Sequence, residues 1–309
     1  MLLKNVSSRV EQIFFSEIAD KDVAVFMKRE DELHPFISGN KYRKLKYNLE
    51  QAQKENQETI VTFGGAYSNH IAATAAAGKE FGFKTIGVIR GDELANKSIV
   101  DLHKNPTLKF AATQGMEFHF VTRTAYRKKT ETLFIQELKN IFGEFYLVPE
   151  GGTNQLAVKG CAEILDENDV DYDVICAAMG TGGTLAGIIN ASSNEQKIIG
   201  FPSLKGDFLA AEVRKFVTKN NWEVNLDYSF GGYGKINTTL IHFINAFKKE
   251  TRIPLDPVYT GKMVFGIIDL IKNDYFAKGT KILLIHTGGL QGIDGMNQLL
   301  IKKKSPLIQ

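Results

Sequence analysis

Cysteine is scarce in this sequence: Cys161 and Cys176 are the only two among 309 residues. Two cysteines without metal-ligand spacing exclude a disulfide framework and a cysteine-based metal site. We expect both to be small buried side chains, and we expect no bound metal. Proline is also scarce, with 7 residues, and no proline-rich linker or low-complexity segment divides the chain. The sequence therefore predicts closely packed units rather than tethered modules.

An excess of charge of one sign is absent as well. The 38 basic and 35 acidic side chains give a formal net charge of +3, and the two signs are mixed along the chain. This pattern excludes the electrostatic footprint of a nucleic-acid or membrane-surface partner. The N-terminal segment carries Lys4, Arg9 and Glu11 and shows neither a signal-peptide pattern nor a membrane-spanning run. We expect a cytoplasmic protein whose partner is a small molecule.

What the sequence does contain is a repeated alternation of short β-branched runs and longer amphipathic segments. The runs TIVTFG, KTIGVIRG, EFHFV and FYLVPEGG are separated by helix-length segments, and the pattern recurs at DVICAAMG, KIIGF and KILLIH. Short apolar runs that end in glycine predict parallel strands buried on both faces. The sequence therefore predicts an α/β protein with two such units.

Three polar or glycine-rich segments, 64–70, 180–184 and 286–289, each follow a predicted strand. Ligands of open α/β sheets bind beyond the carboxyl ends of the strands, so we expect the three segments to share one cleft. The second segment is a turn between strand and helix that suits a phosphate through its amides, helix terminus and hydroxyls. It lacks the lysine of a P-loop and the spacing of a dinucleotide fingerprint. A phosphorylated cofactor of another kind and a turn without any ligand remain the alternatives. The residues of this turn are Gly180, Thr181, Gly182, Gly183 and Thr184.

Lys41 lies just before a helix that we predict to begin near Tyr42, and Arg43 and Lys44 follow it. Neighbouring cations or burial in a cleft lower the pKa of a lysine amine, so that it can act as a nucleophile or base. Cations at a helix N-terminus are electrostatically unfavourable unless they meet an anion. The alternative interpretation is a basic, solvated helix start.

Ser68, Asn69 and His70 occupy another strand-to-helix junction. A serine or asparagine there is a natural helix N-cap, and the same exposed amides could instead hold a substrate carboxylate. Tyr233 and Tyr259 lie in loops that precede helices. Such tyrosines can stack on a planar ring or donate a phenolic proton, although most tyrosines only pack.

Four motifs of the sequence occur in the order found in one enzyme family: GNKYRK at 39–44, SNH at 68–70, GTGGT at 180–184, and DPVYTGK at 256–262 followed by HTGG at 286–289. With them the sequence resembles, over nearly its whole length, the fold type II pyridoxal-phosphate (PLP) enzymes. The similar branch contains 1-aminocyclopropane-1-carboxylate (ACC) deaminase and D-cysteine desulfhydrase.

The resemblance implies a two-domain α/β fold of open twisted parallel sheets with helices on both faces, like that of the tryptophan synthase β subunit. A large PLP-binding domain of residues 1–45 and 151–309 would contain an inserted small domain of residues 46–150. The family architecture also implies a homodimer. Each of these is an expectation for the structure.

The resemblance also implies roles for individual residues. Lys41 would carry PLP as a Schiff base, Lys44 and the turn at 180–184 would hold its phosphate, and Asn69 would bond its phenolic oxygen. On the substrate side, Ser68 and the amides that follow it, those of Asn69 and His70, would bind the carboxylate. The residues flanking the reacting carbon would be Tyr233 and Tyr259.

Thr260 and Thr287 favour the desulfhydrase branch, because the deaminase branch typically has glutamate and leucine at these cofactor positions. A carboxylate near the pyridine nitrogen keeps it protonated and strengthens the electron sink, which a threonine hydroxyl cannot do. We therefore predict PLP-dependent α,β-elimination from a small amino acid, with D-cysteine giving pyruvate, hydrogen sulfide and ammonia. The alternatives are ACC deaminase, another lyase or dehydratase of this fold, and a non-catalytic binder of PLP or another phosphorylated ligand.

Overall fold

The computed structural model describes residues 3–4, 6–95, 104–206 and 208–309. Its larger sheet has six strands, and only the edge pair β1 and β2 is antiparallel. In spatial order the strands are β1 (Val10–Ile13), β2 (Val23–Lys28), β10 (Thr280–Ile285), β7 (Val174–Met179), β8 (Lys197–Pro202) and β9 (Trp222–Val224). The sheet is therefore mixed, whereas the sequence predicted parallel strands throughout.

The smaller sheet has four strands, all parallel. In spatial order they are β5 (Glu117–Val121), β4 (Lys84–Arg90), β3 (Thr59–Gly65) and β6 (Tyr146–Val148). All four strands lie within the range 46–150 expected for the small domain, although helix α1 (Asn40–Lys54) runs across the expected boundary at residue 45. The division into two domains stays a prediction.

Eleven α-helices occur in the described ranges. After α1 they are α2 (Asn69–Phe81), α3 (Pro106–Thr113), α4 (Arg123–Arg127), α5 (Thr132–Phe142), α6 (Gln155–Ala162), α7 (Gly183–Ala191), α8 (Phe208–Arg214), α9 (Thr238–Thr251), α10 (Thr260–Lys272) and α11 (Gly292–Lys302). No one of these helices is both long enough and apolar enough to span a membrane.

The central strand β7 shows why helices cover both faces of the larger sheet. Its side chains alternate between two hydrophobic cores, as the period of two in a β-strand requires. Cys176 packs in the core that includes residues of α9 and α10, whereas Ile175 and Ala177 pack in the core that includes α6 and α7. Cys161 and Cys176 are both free and buried. The predicted α/β fold with helices on both faces is confirmed.

Candidate active site

A cavity of about 490 Å³ is lined by residues from the carboxyl ends of strands in both sheets. The three segments that the sequence placed in one cleft all reach this cavity. Of the predicted site residues, those that line it are Lys41, Lys44, Ser68, Asn69, His70, Gly180, Thr181, Gly182, Thr184, Tyr233, Tyr259 and Thr287. Gly183 and Thr260 do not line it.

Gly39 explains how Lys41 reaches the cavity. Gly39 has φ +60°, and a Cβ atom built on it would lie 2.0 Å from the carbonyl oxygen of Thr287. Only glycine permits this backbone conformation together with so close an approach. The amide of Asn40 donates to the same carbonyl oxygen at 3.2 Å. Helix α1 therefore begins at Asn40, slightly before the predicted start, against the loop after β10, with Lys41 in its first turn.

The amine of Lys41 lies in an enclosed setting. Burial lowers its pKa well below the ordinary value for lysine, and the charge of Lys44 lowers the pKa further. No hydrogen bond joins the Lys41 amine to any residue that the structure describes. A neutral amine without a competing partner is the form that attacks a carbonyl group or takes a proton.

Lys44 and the glycine-rich turn form a cradle for an anion. The Nζ atom of Lys44 donates to the carbonyl oxygen of Gly151 and to Thr153 Oγ1, at 3.0 Å each, and approaches Thr181 Oγ1 at 3.5 Å. Gly182 has φ +86° and forms the N-cap of α7, whose free amides point toward the turn. The cation, the hydroxyls and the helix terminus together fit the phosphate of a cofactor.

Two further residues support this turn. The side-chain amide of Asn40 donates to Thr184 Oγ1 at 2.8 Å, which joins the start of α1 to the start of α7. Gly183 packs against Thr153 instead of facing the cavity, because a Cβ atom built on Gly183 would lie 2.9 Å from the threonine methyl group. Gly183 therefore permits close packing behind the cradle.

The junction between β3 and α2 has both of the features that the sequence offered as alternatives, a side-chain N-cap and free amides that face the cavity. Ser68 is the N-cap of α2 and accepts from the amide of Ile71 at 3.4 Å. Ser68, Asn69 and His70 also line the cavity, so the amides of the first turn of α2 lie where a substrate carboxylate can reach them. The side chain of His70 is 1% exposed, and its Nε2 atom lies 2.8 Å from Thr62 Oγ1.

The two loop tyrosines contact each other. The rings of Tyr233 and Tyr259 lie edge to face, with centroids 6.1 Å apart. Burial raises the pKa of Tyr259 well above its ordinary value, and the neighbouring Tyr233 adds to the shift. Tyr259 therefore keeps its phenolic proton at neutral pH and can serve as a donor. Gly180 lies beside its ring, since a Cβ atom built there would be 3.3 Å from Tyr259 Cε1.

Asp256 organises the loop that carries Tyr259 and Thr260. Its carboxylate accepts from the amides of Val258, Tyr259 and Thr260 and from the hydroxyl of Thr260, at 2.7 to 2.8 Å. Thr260 is fully buried, and its hydroxyl is engaged with Asp256 rather than directed at the cavity. Thr287, by contrast, lines the cavity directly.

The sequence interpretation missed three residues that build the site. Lys262 Nζ donates to the carbonyl oxygens of Ser229 and Gly232 at 2.8 Å each, and so holds the glycine-rich loop that carries Tyr233. Arg90 and Glu150 line the cavity from the smaller sheet. Arg90 ends β4 and Glu150 follows β6. The rule that ligands bind beyond the carboxyl ends of the strands, which pointed to 64–70 after β3, could therefore have identified both residues.

The family pattern described as "Pyridoxal-phosphate dependent enzyme" matches residues 13–288 of this sequence. The chain belongs to this family. This PLP-dependent enzyme is 32% identical over 286 residues to a Pyrococcus horikoshii protein provisionally named a 1-aminocyclopropane-1-carboxylate deaminase. The matched region covers 87% of this chain and 85% of the relative.

Two further similarities of this PLP enzyme concern an Arabidopsis thaliana protein and a solved structure. The plant protein is named a bifunctional D-cysteine desulfhydrase/1-aminocyclopropane-1-carboxylate deaminase, mitochondrial, and is 29% identical over 301 residues, covering 89% of this chain and 75% of the relative. A crystal structure of an ACC deaminase homologue superposes with a TM-score of 0.79 at 29% identity, covering 97% of this chain and 95% of the other.

These findings confirm the predicted resemblance to the fold type II PLP enzymes. PLP is the cofactor, and the protein is a PLP-dependent lyase or deaminase. The cradle formed by Lys44 and the turn at 180–184 fits the phosphate of this cofactor, and the unbonded amine of Lys41 fits its aldehyde. The individual residue roles and the homodimer stay predictions.

Proposed function

We propose that this PLP enzyme catalyses α,β-elimination on D-cysteine, with release of pyruvate, hydrogen sulfide and ammonia. The observation that carries the proposal is that the neutral side chain of Thr287 lines the cavity, while the hydroxyl of Thr260 is held by Asp256 and does not face it. Asp256, which lies four residues before Thr260, already accepts four hydrogen bonds from its own loop. It is therefore not free to hold a proton on a pyridine nitrogen.

Glu150 does not supply such a carboxylate either. It is the one acidic residue among the described residues that line the cavity. Its Oε1 atom accepts from the hydroxyl of Tyr126 at 2.7 Å, and its Oε2 atom lies 3.3 Å from Lys129 Nζ. A ring without an acidic partner is a weaker electron sink. A weaker electron sink suffices to expel a thiol, whereas opening a cyclopropane ring requires a stronger one.

The residues of the cavity suit elimination in the following way. When bound, PLP supplies an electron sink that makes the Cα–H bond of an amino acid acidic. The neutral amine of Lys41 takes the Cα proton, while Ser68 and the amides at the start of α2 hold the carboxylate. Tyr259 donates a proton to the departing sulfur as the C–S bond breaks and sulfur takes the bonding electrons. Water then converts the released enamine into pyruvate and ammonia.

ACC deaminase activity is the second candidate, and the names of the relatives favour it. Proteins of Pyrococcus horikoshii and Bradyrhizobium carry that name, and the Arabidopsis protein carries both names. Both reactions start from the same cofactor chemistry and release a 2-oxo acid with ammonia. They differ in whether a β-substituent leaves.

The test is a release screen on the purified PLP-loaded protein. D-cysteine, L-cysteine, β-chloro-D-alanine, D-serine and ACC are compared for 2-oxo acid and ammonia, and the two cysteines also for sulfide. We expect D-cysteine to give pyruvate, sulfide and ammonia in equal amounts. Release from ACC alone would overturn the argument from the two threonines and establish the second candidate.

A further inference from the structure

His286 is a fully buried histidine directly after β10, between two loops that reach the cavity. Its Nδ1 atom accepts from the backbone amide of Gly288 at 3.2 Å. Its Nε2 atom lies 2.7 Å from the carbonyl oxygen of Pro254. The backbone amide of His286 donates to the carbonyl oxygen of Lys28 at 3.0 Å, which extends the pairing of β10 with β2. One imidazole ring therefore contacts both its own loop and the segment that leads to Asp256.

The two ring contacts of His286 assign its proton. A backbone amide can only donate a hydrogen bond and a carbonyl oxygen can only accept one. Nδ1 is therefore the acceptor, and Nε2 carries the proton that is donated to Pro254. The nearest carboxylate oxygen, Asp31 Oδ1, lies 3.4 Å from Nδ1, but both oxygens of Asp31 accept from Arg29, at 2.9 and 2.8 Å. The ring is therefore neutral and fully used by its two backbone partners.

The Nδ1 side of the ring holds the loop beneath the reactive lysine. We call residues 286–289 the first loop. Thr287 and Gly288 of this loop line the cavity. The carbonyl oxygen of Thr287 accepts from the amide of Asn40 at 3.2 Å, at the start of helix α1. The first loop is therefore the support on which the turn that carries Lys41 rests.

The Nε2 side of the ring holds the loop that carries Tyr259. We call residues 253–260 the second loop. Pro254 lies two residues before Asp256, whose carboxylate accepts from the amides at 258–260. The two loops also touch at Gly289, since a Cβ atom built there would lie 3.3 Å from Asp256 Cγ. Among the described residues, no hydrogen bond other than that from His286 to Pro254 joins the two loops.

We propose that His286 is a positioning residue that fixes the second loop, with Tyr259, relative to the first loop, which supports Lys41. Groups that act on one substrate have to be held within about 0.5 Å of their working positions, and the two groups here lie on chain segments far apart in sequence. The consequence for turnover rests on the proposed function, in which Tyr259 and Lys41 both move protons. The coupling of the two loops does not rest on it.

The test uses two substitutions that each retain one of the two bonds. His286→Asn places a carboxamide oxygen near the position of Nδ1, where it accepts from the amide two residues further on, as asparagine does in turns. Its short side chain does not reach Pro254. His286→Gln places an amide nitrogen near the position of Nε2, where it donates to Pro254, but offers Gly288 no acceptor. The readout is amide hydrogen exchange, followed by mass spectrometry on the PLP-loaded full-length protein.

We expect the two variants to loosen different loops. In His286→Asn, the amides at 258–260 should exchange at least about tenfold faster, while those of the first loop keep the rate of the wild type. In His286→Gln, the amide of Gly288 should exchange faster and the second loop should keep its rate. His242→Asn is the matched control, because His242 is an exposed histidine on α9, and it should change neither loop.

The same variants should separate turnover from cofactor affinity. At saturating PLP, His286→Asn should lower turnover by about 10- to 100-fold, because Tyr259 is displaced. Its affinity for PLP, measured by titration of the PLP-free protein, should equal that of the wild type. His286→Gln should raise the Kd for PLP by about three- to tenfold, as expected for one lost hydrogen bond beneath Lys41.

Faster exchange of both loops in both variants, or of the whole chain, would show that the ring of His286 only fills space. Unchanged exchange in both variants would show that it holds neither loop. Each of these results would overturn the inference. If exchange divides between the loops as expected but the wild type releases no pyruvate from D-cysteine, the proposed function fails and the inference about His286 stands.

Discussion

The two walls of the cavity differ in how their polar groups are satisfied. On the wall formed by α1 and the larger sheet, Lys44, Thr181 and Thr184 are hydrogen-bonded within the protein. On the wall formed by the smaller sheet, His70 Nδ1 has no partner and Arg90 has no carboxylate within 4.0 Å, as far as the described residues go. We therefore expect the first wall to hold the fixed cofactor and the second to meet groups that come and go.

Removing the reactive amine from the first wall should have the largest effect. Lys41→Ala should abolish the Schiff-base absorbance and reduce turnover by at least about 10³-fold, because both attachment and general base catalysis are lost. Absorbance and 2-oxo acid release on the purified variant measure this. The matched control is Lys54→Ala, at the exposed end of the same helix. A Lys41→Ala protein that retained both signals would contradict the assignment.

The close approach at Gly39 should be the next most sensitive feature. Gly39→Ala places a Cβ atom 2.0 Å from the Thr287 carbonyl oxygen, and we expect the free energy of unfolding to fall by more than about 3 kcal/mol. Gly82→Ala is the control, because Gly82 also has positive φ, +78°, with no atom within 4 Å of its built Cβ. Its cost should be about 1–2 kcal/mol. If urea unfolding gave equal losses of stability for the two variants, backbone strain alone would explain the cost at Gly39, and the close approach to Thr287 would contribute nothing.

Lys262 offers a pH-dependent test of the loop that carries Tyr233. Burial lowers the pKa of Lys262 to about 8, compared with about 10.4 in an unfolded chain. Between these values the unfolded chain binds a proton that the folded chain does not, so this group makes stability rise with pH. The stability of the wild type relative to Lys262→Met should therefore increase from pH 8 upward, as followed by thermal unfolding. A difference independent of pH would show that the ammonium is not buried.

The same variant should also lower turnover. Without the hydrogen bonds from Lys262 to Ser229 and Gly232, the loop is less ordered and Tyr233 is less well placed beside Tyr259. The cost in stability at neutral pH should be about 1–3 kcal/mol, because two carbonyl oxygens lose their donor. This loss is smaller than that expected for Gly39→Ala.

The sequence predicted the larger part of the fold because the apolar runs of the parallel strands are continuous and bounded by glycine. It missed β1, β2 and β9. Strand β9 has three residues, all only partly buried, and β1 has a single buried residue, Ile13. Such short edge strands pair on one side only and carry little periodic signal of their own. Strand β2 is an inner strand, between β1 and β10, whose place depends on pairing with β10 at the far end of the chain.

For the site, the sequence located segments better than it located contacts. Residues at the ends of strands could be grouped by a general rule of α/β sheets, as 180–184 and 286–289 were. The hydrogen-bond partners around His70 could not be derived, because Thr62, which contacts His70, donates in turn to Val148, 86 positions further along the chain. The burial of Thr260 behind Asp256 is likewise a property of the folded loop and not of the motif.

The smallest effect is expected on the open wall, at Arg90. The guanidinium group of Arg90 lies over the ring of Tyr126, with Cζ 5.6 Å from the ring centroid, and its side chain is exposed. Exposed ion pairs contribute about 0.2–1 kcal/mol, so Arg90→Gln should weaken the binding of amino acids by no more than about fivefold. Spectral titration of the PLP-loaded protein with D-alanine measures this change in affinity.

The affinity of Arg90→Gln for PLP should be unchanged, because Lys44 and the turn at 180–184 lie on the other wall. A loss of PLP affinity in Arg90→Gln equal to the loss of amino-acid affinity would show that the two walls do not divide cofactor and substrate between them.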